Sequence, residues 1–136
     1  MGEQSDRLAR ADTAAELRRT RAAMIGATLF IHVNCVFWAG MDVWVYRVEG
    51  HWTLYTIYLP VFVLFVPVLW GWARLSVPGL LAASGVSLLV CLALLGYGVF
   101  LLGSQPGWGV VTLLFVPLLV VLGVSSYRAA RRLTSG

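Results

Sequence analysis

The stretch "FIHVNCVFWAGMD", residues 30–42, sets a histidine, an asparagine, a cysteine and an aspartate inside a run that is otherwise apolar. An imidazole at membrane depth can ligate haem axially, relay a proton or hydrogen-bond a quinone. A carboxylate farther along the same helix face can couple proton movement to transport. His32 and Asp42 are therefore the residues with chemistry to offer.

Spacing constrains them further. Thr28, His32, Cys35, Ala39, Asp42 and Tyr46 step by four, three, four, three and four, which puts all six on one face of a helix. Phe30, Phe37, Trp38, Met41 and Trp44 fall on the other faces. A histidine turned to lipid would leave ring nitrogens unpaired, at a cost of several kcal/mol. The polar stripe should therefore turn toward protein. In a later apolar run Ser84, Ser87 and Cys91 follow three-four spacing, and Ala83 with Ser87 makes a small-xxx-small pair that lets backbones approach. The expected lock is the first span against the third, with Asn34 or His32 reaching a serine or a carbonyl freed by proline.

His32 lies about ten residues into its span, roughly 15 Å deep at 1.5 Å per residue. A neutral histidine that ties two helices together stands beside the haem, quinone and relay readings. A bis-histidine haem within one chain needs a second histidine at equal depth, and the only other one, His51, lies in the link "RVEGHWT". A haem shared by two copies through His32 stays open. Asp42, near the outer end of the span, reads first as a structural partner of Arg47 or Tyr46 and second as a proton-coupling group. Glu49 and His51 are too few to specify a metal, and no metal site is expected. Cys35 and Cys91 form no CxxC pair and read as small packing residues.

The elements that carry these residues follow from composition. Of 136 residues 60% are hydrophobic and 12% charged, about half the charged share usual for a soluble domain. Four apolar runs, near residues 22–46, 54–73, 79–102 and 109–127, each have roughly the 20 residues that cross a bilayer core. A polar segment, 1–21, precedes them and can form a surface helix, and a basic tail, 128–136, follows. The links "RVEGHWT", "RLSVP" and "GSQPGW" are short and force antiparallel neighbours. The expected fold is all-α, an integral membrane four-helix bundle.

Net charge is +4, and the basic residues are ten arginines with no lysine. Five lie in the N-terminal segment, Arg74 in the second link and three in the tail, against Arg47 alone on the other side. By the positive-inside rule both termini are cytoplasmic, in a bacterial inner membrane. Arginines grouped beside apolar runs are topology signals and do not mark a nucleic-acid surface. No signal peptide is expected, because the leading segment is long and acidic and no small-residue cleavage site follows the apolar stretch. Trp52, Tyr55 and Trp108 near one boundary, and Trp70 and Trp72 near the other, read as interfacial belt residues.

"LFVP" occurs at 64–67 and 114–117, a 50-residue offset that would relate two parallel hairpins, although the first and third spans match poorly. Pro60, Pro67 and Pro117 interrupt backbone bonding within the spans. The size and helix count resemble the small four-helix drug exporters. Those carry a mid-membrane glutamate in their first helix, which this chain lacks, and Asp42 lies too far along to replace it. "FIH" with a following asparagine, and then "VLWGW", resembles the bacterial two-helix membrane domain of unknown function over residues 20–75. The histidine-to-asparagine spacing departs from that pattern, and the resemblance implies no activity.

No nucleophile elbow, paired acids or phosphate-cradling loop is present. No enzymatic activity and no resident cofactor are expected, with haem or quinone at His32 as the exception. The expected role is an accessory subunit that packs against larger integral membrane subunits of a respiratory, photosynthetic or transport assembly. The alternatives are a homo-oligomeric transporter or channel that uses His32 and Asp42, and a haem- or quinone-binding membrane anchor.

Overall fold

The computed structural model describes residues 2–50 and 58–135. They form four helices: α1 (Gly2–Glu49), α2 (Tyr58–Arg74), α3 (Val77–Ser104) and α4 (Pro106–Ser135). Three of them, α1, α3 and α4, are long and apolar enough to cross a membrane, while α2 is a shorter apolar helix of 17 residues. The expected start of the second span, residues 54–57, lies outside the described residues.

α1 is one uninterrupted helix of 48 residues, about 72 Å long at 1.5 Å per residue. The polar N-terminal segment thus continues straight into the first apolar span. The reason is local: "AELRRTRAAM" is built of strong helix formers, with no glycine or proline to end the helix. α4 likewise runs through the basic tail to Ser135.

The α2–α3 link is only Leu75 and Ser76. Leu75 takes a left-handed φ of 51° and ends α2 where glycine is the usual choice. Ser76 caps α3: its Oγ accepts from Gly79 N at 3.3 Å, and Pro78 occupies the first turn, where a missing N–H costs nothing. Gln105 separates α3 from α4, and Pro106 opens α4 in the same manner.

α3 packs most extensively on α4, α2 packs on α3, and α1 packs on α2 with a smaller contact to α4. Glycines set the closeness of both hairpins. A Cβ at Gly71 would fall 2.5 Å from the Gly79 carbonyl oxygen, and one at Gly109 would fall 2.7 Å from Leu102 N. Backbone atoms cannot give way, so only glycine lets these helices meet. Pro67 and Pro117, inside α2 and α4, free the carbonyls of Val63 and Leu113. Pro60 differs from expectation: it lies in the first turn of α2 as described and interrupts no interior bond there. In both "LFVP" copies the proline turns outward, while Phe65 is buried and Phe115 half-buried.

Candidate functional site

The stripe of α1 supplies the candidate site. Thr28, His32, Cys35 and Asp42 are all buried, with exposures of 0, 9, 2 and 2%, whereas Tyr46 at the end of the row is 43% exposed. The stripe faces α2, where the His32 ring meets the Phe62 ring edge-on, with centroids 4.7 Å apart.

Most polar groups here are satisfied within their own helix. Thr28 Oγ1 donates to Met24 O at 2.7 Å, and Asn34 Nδ2 donates to Phe30 O at 2.9 Å. His32 Nδ1 lies 2.8 Å from Thr28 O. A carbonyl oxygen can only accept, so Nδ1 carries a proton, and in the neutral tautomer that fits this bond Nε2 is the bare acceptor. That Nε2 is buried and has no partner among the described residues. It is a buried acceptor that lacks a donor, a costly condition in an apolar interior. Among the described residues no three or more His, Cys, Asp or Glu are grouped to hold a metal ion. His51 lies outside the described residues.

The anticipated lock between the first and third spans is not formed. α1 packs on α2 and α4, and the Ser84–Ser87–Cys91 row of α3 faces α4. Cys91 Sγ points to Val116 O at 3.9 Å, and a Cβ on Gly123 would sit 3.6 Å from the Ser84 carbonyl. Ser87 is fully buried, and its Oγ has no partner among the described residues. The physical reason is connectivity: short links make sequential helices neighbours, which leaves α1 and α3 diagonal. Asn34 and His32, expected to reach across, bond within α1 instead.

A small cavity of about 20 Å³, lined by residues from all four helices, lies where Asn34, Cys35, Tyr58, Thr112 and Phe115 meet. That is room for about one water molecule. Beside it an aromatic group closes one end of the bundle: Trp38 packs edge-on against Trp108 at 5.0 Å and over Tyr58 at 6.2 Å.

Of the expected belt residues, Trp70 is 57% exposed and lies under the Arg74 guanidinium, 4.3 Å from the ring centre. Trp72 is a correction. It is fully buried, and its Nε1 donates to Ser126 Oγ at 2.9 Å, which in turn donates to Leu122 O at 2.7 Å. Two residues past Trp70, it points to the opposite side of α2, into the bundle. Trp108 is half-buried in the aromatic group, and Trp52 and Tyr55 lie outside the described residues.

Two ties were not anticipated. Arg21 reaches from α1 to the end of α2, where its Nε donates to Trp72 O at 3.2 Å and its Nη2 to Ala73 O. These are carbonyls the helix leaves unpaired, at the negative end of its dipole. Farther out, Arg132 of α4 holds Glu16 of α1 through two contacts, at 3.1 and 3.2 Å. The signal in each case was an arginine beside an apolar run, which charge counting assigns to topology alone. The chain matches no protein-family model, no curated protein and no solved structure.

Proposed function

We propose that the chain is a small polytopic protein of a bacterial inner membrane, with both termini cytoplasmic, that serves as an accessory subunit of a larger respiratory, photosynthetic or transport assembly. One observation carries this reading. On the outer side of α1, Gly26, Phe30, Val33, Phe37, Gly40 and Trp44 step by four, three, four, three and four, and all six are exposed. On α3, Gly85, Leu89, Leu92, Gly96, Val99 and Gly103 repeat the same steps, again all exposed.

A Cβ at any of these five glycines would meet nothing within 4 Å, in contrast to those at Gly71, Gly98, Gly109 and Gly123. Each costs about 1 kcal/mol of helix propensity relative to alanine and gains no packing within the chain. Glycine beside large apolar residues at heptad spacing is the surface that a second membrane helix packs into. The arginine count, nine on one side against Arg47 on the other, supports the orientation.

Extraction in a mild detergent followed by mass spectrometry of the intact assembly tests the reading. A larger integral membrane protein at fixed stoichiometry is expected; a lone monomer rules the proposal out. Cysteines introduced near residues 5 and 134 should be shielded from an impermeant thiol reagent applied outside.

A further inference from the structure

At the arginine-rich end α1 and α4 run side by side, clipped by Glu16 and Arg132, and an opening lies on each side of that clip. The first, about 110 Å³, is bounded by Glu16, Leu17, Thr20, Ser125, Arg128 and Arg132. The second, about 370 Å³, continues along α1 past Arg10, Thr13 and Leu17 to Arg132 and Leu133. Together they present three arginines against one glutamate, over an apolar floor of Leu17, Ala129 and Leu133.

Among the described residues Arg10 and Arg128 have no ion pair or hydrogen bond, and the hydroxyls of Thr20 and Ser125 have none either. Thr20, Ser125 and Arg128 thus line the first opening as donors without an acceptor among the described residues. Depth identifies what could supply it. Thr20 and Arg128 are within two residues of the ends of the apolar runs, about 3 Å along the helix axis. The headgroup layer outside the hydrocarbon core is roughly 5–8 Å deep.

We propose that this cleft binds the headgroup phosphate of one anionic phospholipid, with Arg128 and Arg132 holding the phosphate and Thr20 and Ser125 donating hydroxyl hydrogen bonds. Leu17 and Ala129 flank the phosphate, while Arg10, about 18 Å along α1 from the apolar run, lies beyond the headgroup layer and takes no part. The inference rests on the membrane-spanning reading but not on the existence of a partner subunit. Arginine beside an anionic headgroup contributes about 1 kcal/mol, so losing one lowers affinity about five-fold.

The test titrates the full-length protein, in one detergent, with phosphatidylglycerol or phosphatidylcholine, and counts bound lipid by native mass spectrometry. One phosphatidylglycerol per chain is expected at concentrations where phosphatidylcholine is not retained. Arg128→Gln should weaken that binding about five-fold with an unchanged melting profile, since Arg128 makes no hydrogen bond or ion pair among the described residues. Arg18→Gln, on α1 but outside the cleft, should leave binding as it is. Arg132→Gln also opens the clip to Glu16, so Arg128→Gln carries the decision. Equal retention of phosphatidylcholine, an equal loss with Arg18→Gln, or displacement by inorganic phosphate alone would each overturn the proposal. Co-purification of a partner is read separately, so the two ideas fail on different data.

Discussion

Trp72 on α2 and Ser126 on α4 are joined by a 2.9 Å hydrogen bond in which neither side chain reaches the surface. The serine passes the bond on to Leu122 O, so the indole N–H, the hydroxyl and a helix carbonyl form one chain. α2 and α4 are diagonal in the bundle, and this bond fixes their rotation relative to each other.

Ser126→Ala should therefore lower stability by about 1–3 kcal/mol, because it leaves the buried indole N–H without an acceptor. Trp72→Phe removes the donor and leaves a smaller gap. In a double-mutant cycle read by denaturant titration in detergent, the coupling should be near 0.6 kcal/mol, the usual size for such bonds between membrane helices. Strict additivity would show that the bond contributes nothing.

His32→Phe is expected to leave the isolated protein as stable as before, within about 1 kcal/mol, or to stabilise it. The ring shape beside Phe62 is kept while an acceptor without a donor is removed. A loss of several kcal/mol would mean that Nε2 has a partner in solution, and a Soret band in the purified wild type would identify it as haem.

Glycines should divide by what their Cβ would meet. Gly71→Ala forces α2 off the Gly79 backbone and should cost several kcal/mol, the scale of a severe core disruption. Gly40→Ala meets open space and should raise the stability of the isolated chain by up to about 1 kcal/mol. Gly40→Leu should keep the monomer folded yet reduce partner recovery in pull-down. Unchanged recovery would remove the outer face of α1 from the proposed interface.

Arg21→Gln removes the guanidinium from the carbonyls of Trp72 and Ala73 and should cost about 1–2 kcal/mol. Amide exchange in the last turn of α2 should rise with it, while α3 and α4 stay protected. Arg21→Lys keeps the charge but reaches one carbonyl at a time, so it should recover only part of the loss.

Much of this arrangement is legible in the residues. Apolar runs bounded by "RLSVP" and "GSQPGW" mark where α2 ends and α3 and α4 begin, because serine is favoured as an N-cap and proline in the first turn of a helix. The four-three spacing of Thr28, His32, Cys35 and Asp42 puts them on one side of α1, and that side is the buried one. Helix rotation was not legible where every face is apolar. Trp70 and Trp72 have the same type and nearly the same position, yet one lies outside and the other in the core. Which helix meets the polar stripe was hidden as well, since small polar residues mark a close contact without naming its partner. Arg21 was read for its charge, while its role depends on where α2 happens to end.

The uninterrupted course of α1 has a mechanical consequence. About 20 residues, near 30 Å of helix, project beyond the apolar span with no hinge between them. A tilt of 10° within the bilayer would sweep the far tip sideways by roughly 5 Å. Thinning of the lipid, or a neighbour pressing on the buried half, would be felt in the aqueous phase as a displacement. Glu16 and Arg132 would pull the end of α4 along with it.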